Sequence, residues 1–104
     1  MAVRKVIWSR TAARQRRNIL EFWKHNNQSH AYSLRVLQQS NDKTSLIAEN
    51  PEIYPQSEFP NMRVAHMGNF SIYYLIREKE ILITAFWDNR QNPDDIVKYL
   101  KSHI

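Results

Sequence analysis

The sequence predicts an α+β domain: a small antiparallel sheet with two N-terminal helices packed on one face, in the order β-α-α-β-β-β-α. Three observations carry that reading. Residues 62–87 are apolar, aromatic or β-branched at most positions and fall into three segments parted by polar breaks, the pattern of an antiparallel meander. Two longer segments before them repeat apolar residues at helical spacing. A chain of 104 residues can enclose one modest core and not two, so residues 1–104 form a single domain.

Residues 3–8 are β-rich and make a short first strand, with Val6 and Trp8 on one face. Ser9 or Thr11 can cap the following helix, since a side-chain oxygen accepts from an otherwise orphan backbone N–H. That helix runs to about Asn26. Ala12, Ile19, Leu20 and Trp23 form its apolar side, and Arg10, Arg14 and Arg17 fall on another face. Asn27 and Gln28 continue a polar break, and Ser29 can cap a second helix. Ala31, Leu34, Leu37, Thr44 and Ala48 are its expected buried stripe. Pro51 ends it near Asn50, because a proline pushes its predecessor out of the α region. Residues 51–60 hold three prolines and no regular period, which reads as an ordered connection.

The meander follows. Gly68, the only glycine, sits with Asn69 between the first two strands, where a tight reversal needs φ > 0. Alternation sets Arg63, Ala65 and Met67 against Met62, Val64 and His66. The next strand divides into Phe70, Ile72, Tyr74 and Ile76 against Ser71, Tyr73, Leu75 and Arg77. The first set is the more apolar, so Tyr73 and Arg77 are expected to look outward from a partly open sheet face. Arg77-Glu78-Lys79-Glu80 breaks the pattern before the third strand. Asn92-Pro93-Asp94-Asp95 then starts a helix, with Asn at the cap, Pro at the first position and two carboxylates on the positive end of the helix dipole.

Composition bounds the function. Absence of cysteine removes thiolate chemistry and disulfides. No apolar run reaches membrane-spanning length and no signal-peptide core opens the chain, so a soluble cytoplasmic protein with no membrane association is expected. The net charge of +5 is concentrated. Residues 1–25 carry seven basic side chains against Glu21 alone, while residues 26–104 carry eight basic and nine acidic ones. Such asymmetry fits a polyanion or an acidic protein as partner. It equally fits a solvated basic helix face that keeps the protein soluble.

Trp8-Ser9 leading into a basic helix, Arg63 on the strand before "NFSIYYLI", and the closing "FWDNRQNP" together resemble the RelE/ParE superfamily, toxins of bacterial type II toxin–antitoxin pairs. The resemblance spans about residues 3–100. It implies a small basic toxin neutralised by a cognate antitoxin protein, with one of two activities. RelE-like members cleave mRNA in the ribosomal A site; ParE-like members poison DNA gyrase. The partner is therefore mRNA on the ribosome or DNA gyrase, and no cofactor or metal is implied.

A metal-free ribonuclease needs a base for the ribose 2′-OH, cations for the pentavalent phosphate and an acid for the leaving oxygen. Arginine suits the phosphate because its planar fork meets two oxygens and stays charged. By place in the strand order, Arg63 and Arg90 match the two arginines of the nuclease branch. The bland alternative makes Arg63 a solvent-facing strand residue and pairs Arg90 with Asp88, Asp94 or Asp95. RelE-like nucleases carry a lysine pair before the first of these strands, whereas residues 44–62 here contain no lysine. They also carry a tyrosine shortly after the second arginine, where Tyr99 is a poor substitute. Glu58 and His66, with Glu52, are the candidates for the glutamate and histidine that other nuclease members use. Arg10, Arg14, Arg17, Tyr73 and Arg77 are the candidate RNA-binding residues. Trp8, Phe22, Trp23, Phe70, Tyr74, Phe86 and Trp87 could stack bases, although a core explains most of them better. His25 and His30 are too irregularly placed for a metal pair. The nuclease reading is slightly favoured, gyrase poisoning is its close alternative, and a non-toxic basic binding module is third.

Overall fold

The computed structural model describes residues 3–26 and 30–101. Its elements are β1 (Lys5–Trp8), α1 (Arg10–Asn26), α2 (His30–Glu49), β2 (Met62–Met67), β3 (Phe70–Ile76), β4 (Glu80–Asp88) and α3 (Pro93–Lys101). This is the expected α+β order. Asn27, Gln28 and the Ser29 cap lie outside the described residues.

The four strands form one sheet in the order β1-β4-β3-β2. The β2–β3–β4 meander is antiparallel, and β1 joins the far edge of β4 in parallel. Gly68, at φ 61°, occupies the first central position of the β2–β3 turn, where a side chain would be strained. The second reversal is closed by the Arg77 N–H donating to the Glu80 carbonyl at 2.9 Å.

Local chemistry explains the helix boundaries. The Ala12 N–H donates to Ser9 Oγ at 3.0 Å, so Ser9 caps α1 and Thr11 lies within its first turn. Asn92 caps α3 in the same way, accepting from the Asp94 N–H at 3.0 Å.

α1 and α2 cover one sheet face. Ala12, Val36 and Ile47 meet Ala65, Met67, Phe70, Ile72, Tyr74, Ile81, Ile83 and Phe86 there. The buried stripe of α2 keeps Thr44 and Ala48 of the expected one but not Ala31, Leu34 or Leu37. It runs Val36, Ser40, Thr44, Ile47 and Ala48, while Leu34 is 63% exposed. Two small hydroxyl residues hold central places in it because their donors are satisfied nearby. Ser40 Oγ donates to the Leu37 carbonyl at 2.8 Å and Thr44 Oγ1 to the Asn41 carbonyl at 3.1 Å.

The opposite face is covered as well, contrary to the partly open face expected. Phe59, Met62, Val64, Tyr73, Ala85 and Trp87 pack there beneath Ile96 and Leu100 of α3. These two helix residues are 4% and 1% exposed. Burial of such side chains stabilises by roughly 1.5–3 kcal/mol each. Tyr73 therefore does not look outward: it is 7% exposed, with the Phe59 ring against it at 5.7 Å. Arg77 is exposed, as expected.

A bulge explains how β4 serves both faces. Tyr73 pairs with Ala85 but Tyr74 with Ile83, which leaves Thr84 as an extra residue. The extra residue shifts the alternation. Ile81 and Ile83 face the α1/α2 layer, and so does Phe86, while Ala85 and Trp87 turn to the α3 side.

Candidate functional site

The 51–60 connection folds back along the outer edge of β2. The Ser57 N–H donates to the Met62 carbonyl at 2.8 Å, and the Val64 N–H to the Pro55 carbonyl at 3.0 Å. Arg63 is drawn into this loop. Its Nη1 donates to the Tyr54 carbonyl at 2.6 Å and reaches the Glu52 carbonyl at 3.5 Å. The neighbouring Tyr74 hydroxyl donates to the Pro51 carbonyl at 2.7 Å. Burial pushes the Tyr74 phenol up to about 12, against the opposing pull of the Arg63 charge.

Arg90 sits just past β4, folded onto the strand's last residue. Its Nε donates to Asp88 Oδ1 at 2.9 Å and its Nη2 to Asp88 Oδ2 at 2.8 Å. The guanidinium also lies over Trp23, 5.1 Å from the ring centroid, and 6.0 Å from that of Phe70. Its hydrogen bonds hold the Asp88 carboxyl below the usual carboxylate range, and the same bonds raise Arg90.

The two arginines stand at opposite ends of the sheet. Arg63 is opposite Tyr74, and Asp88 is opposite Phe70 at the other end of β3. Four residues of strand separate those rows, about 13 Å at ~3.3 Å per residue.

The acid–base candidates are dispersed too. His66 is exposed and, by alternation, on the opposite face of β2 from Arg63. Its Nδ1 lies 2.8 Å from Ser71 Oγ, and the Ser71 hydroxyl donates to Asn89 Oδ1 at 2.7 Å. Glu58 is exposed on the 51–60 loop near Tyr73, whose phenol is raised first by burial and then by the Glu58 charge. Glu52 is exposed on the same loop. The structure thus gathers Arg63 with Tyr54 and Tyr74, and His66 with Ser71 and Asn89. It does not bring Arg63, Arg90, His66 and Glu58 to one point.

Among the candidate binding residues, Arg10, Arg14 and Arg17 are exposed along α1. Arg77 pairs with Glu80 at 3.0 Å. Tyr73 is buried and cannot meet RNA without α3 moving. Tyr99 falls on α3, and its side chain is outside what the structure describes.

Two features went unread in the sequence. Arg16 is a structural clamp: its Nη1 donates to Ser40 Oγ at 3.1 Å and Asn41 Oδ1 at 3.0 Å, and its guanidinium lies 3.9 Å from the Trp8 ring centroid. Burial lowers its pKa. The signal was available, since Arg16 falls at helical spacing between Ala12 and Leu20 on the apolar side of α1. The second feature is a cleft of about 390 Å³ between α1 and the C-terminal end of β4, lined among others by Gln15, Asn18, Phe22, Trp23 and Trp87. No periodicity in the sequence reveals it. Among the described residues, no three metal-ligating side chains gather, and no helix is long and apolar enough to cross a membrane.

A family model described as the ParE toxin of the type II toxin–antitoxin system parDE matches residues 6–93. A solved structure, the chromosomal ParDE toxin–antitoxin system from P. aeruginosa, has the same fold, with a TM-score of 0.71 at 20% identity over 81% of this chain and 94% of that one. No curated protein matches the sequence.

Proposed function

The chain belongs to the ParE toxin family of type II toxin–antitoxin systems, and from that premise we propose that it disables DNA gyrase by binding, in the cytoplasm, until a cognate antitoxin neutralises it. The observation that carries this reading is the scatter of the groups a ribonuclease would need. A poison requires a complementary surface and no catalytic set. Arg63 spends its guanidinium on loop carbonyls, and Arg90 is held by Asp88 at the other end of the sheet. His66 stands on the other face from Arg63. Phosphate stabilisation works through donors converging on one developing charge, and these do not converge.

The exposed ridge of Arg10, Arg14 and Arg17 supplies cationic surface for a gyrase–DNA complex or for an acidic antitoxin. Cleavage of ribosome-bound mRNA by Arg63, Arg90, His66 and Glu58 is the competing activity, favoured by strand order alone. The deciding experiment induces the toxin without an antitoxin and measures gyrase-linked DNA breaks beside A-site mRNA cuts on programmed ribosomes. DNA breaks with intact mRNA support the poison. Cuts in mRNA that vanish in Arg63→Ala would establish the nuclease instead.

A further inference from the structure

We propose that Arg10, Arg14 and Arg17 form a sequence-independent site for the phosphate backbone of duplex DNA, by which the toxin holds the DNA that gyrase works on. The second half of that statement rests on the gyrase reading; the DNA contact itself is testable without gyrase.

The ridge is a place where α1 accepts local cost. Arg10 opens the helix, whose first turn carries no acidic residue, so a cation stands on the positive end of the helix dipole. Arg14 follows four residues later and Arg17 three after that, spacings that set like charges beside one another. At helical spacing the three fall within about 60° of the circumference, on the side opposite the fully buried Ala12. All three are exposed. Among the described residues none of them has an ion pair or a side-chain hydrogen bond. Arg16 gives the contrast: its Nη1 donates to Ser40 Oγ and Asn41 Oδ1, so the fold employs that arginine and leaves the other three to solvent. Glu21, four residues after Arg17, is in place to neutralise it, but its carboxylate lies 3.1 Å from His25 Nε2. The fold therefore gains nothing from the cluster.

The chemistry of the ridge selects the partner. Its charges are all guanidinium groups, whose planar forks meet two oxygens of one phosphate. From Arg10 to Arg17 the helix rises about 10 Å. Three successive phosphates of one strand occupy about the same length of a duplex, at ~3.4 Å each. A protein partner is anchored by apolar and aromatic side chains at the centre of its interface. Among the described residues Phe22 is the one exposed large hydrophobic side chain on α1, and it lies about a third of the way round the helix from the ridge. Single strands are held by rings on which their bases stack, and the ridge carries none. Cations without apolar or base-reading neighbours bind the backbone whatever its sequence.

The test titrates the purified toxin into two short labelled DNA duplexes of unrelated sequence and reads fluorescence anisotropy over a series of salt concentrations. Saturable binding of equal strength to both is expected. Three phosphate contacts give a log–log salt slope of about −2.7, or roughly 40-fold weaker binding between about 50 and 200 mM salt. Replacing Arg10, Arg14 and Arg17 together by alanine should abolish the binding, and each single replacement should reduce the slope by about 0.9. A control variant removes three exposed cations elsewhere, Arg35→Ala, Lys79→Ala and Lys98→Ala together. It has the same net charge as the ridge variant and should bind like wild type. Circular dichroism should show the ridge variant melting no lower than wild type, since alanine favours helix and the replacements relieve repulsion. The proposal is overturned by the absence of saturable binding, by equal losses in the two triple variants, or by tighter binding of the single strand or of an RNA duplex of the same sequence. A glutamate-rich peptide held by the ridge where DNA is not would overturn it in favour of an acidic protein. Gyrase inhibition by a toxin that does not bind DNA would remove the DNA site and leave the gyrase reading standing. Ridge-dependent DNA binding by a toxin that leaves gyrase active would keep the DNA site and remove the gyrase reading.

Discussion

Replacing Arg63 by alanine separates a structural arginine from a catalytic one. The Arg63 guanidinium donates to the Tyr54 carbonyl at 2.6 Å and reaches the Glu52 carbonyl at 3.5 Å. A hydrogen bond from a charged donor contributes roughly 1.5–3 kcal/mol when buried, and the second contact is too long to add much. Arg63 is only half-buried, which discounts the figure to about 1–2 kcal/mol. The loop keeps its other ties, through Tyr74, Ser57 and the Val64 N–H, so the variant should still fold. A loss of that size lowers the melting temperature by about 4–8 °C per kcal/mol in a domain near this size. Thermal unfolding followed by circular dichroism, with growth arrest measured at a temperature where the variant stays folded, gives both readouts. A lower melting temperature with toxicity retained is expected. An unchanged melting temperature with toxicity abolished would refute the structural role and return Arg63 to the chemistry.

Other consequences follow from particular contacts. Arg16→Ala removes the bonds to Ser40 and Asn41 and the stack on Trp8, and should cost about 2–4 kcal/mol in denaturant unfolding. The Asp88 carboxyl is depressed in the folded state, so the stability it contributes is present above the ordinary carboxylate pKa and lost as pH falls through the lowered value. Because Arg90 is substantially exposed, that contribution should be below about 1 kcal/mol, read as the difference between wild type and Asp88→Asn in acid titration. Tyr74, raised to about 12, stays protonated in the folded state while the unfolded chain ionises near its ordinary value of 10.0. Folding stability should therefore decline as pH rises from about 10 towards 12. Ultraviolet titration should show Tyr73 and Tyr74 ionising above the ordinary tyrosine value of 10.0, with the Tyr74 step absent in Tyr74→Phe.

Much of the fold was legible because the meander announces itself through local chemistry. Gly68 and Asn92-Pro93 mark their turns and caps without help from distant residues. The alternation of β2 and the first half of β3 sorted their core faces correctly. What escaped depends on contacts far apart in sequence. Ser40 looks polar in a helical wheel, and only Arg16 on another helix shows why it is central. Tyr73 reads as outward until α3 and Phe59 are folded over it. The Thr84 bulge leaves no mark in composition, yet it decides that Phe86 and Trp87 face different layers.

The candidate site was less legible for the same reason. Residue type and strand order single out Arg63 and Arg90, but their roles turn on which carbonyls and carboxylates reach them. The Arg63 partners lie 9 and 11 residues back, on a proline-rich loop with no period to read. The pairing of Arg90 with Asp88 was among the expected alternatives because the two are neighbours in sequence. The bond that Gln15 Oε1 accepts was invisible, since its donor is the backbone N–H of Phe86, 71 residues later.

On the proposed reading the toxin acts by occupying gyrase and not by cutting RNA. Supercoiling and DNA cleavage by purified gyrase, measured with toxin alone and with toxin pre-bound to its antitoxin, test it most directly. Free toxin should block supercoiling and trap DNA breaks, the antitoxin should abolish both, and Arg63→Ala should behave as wild type where it is folded. Gyrase untouched by an active toxin, with ribosomal mRNA cut in its place, would contradict it.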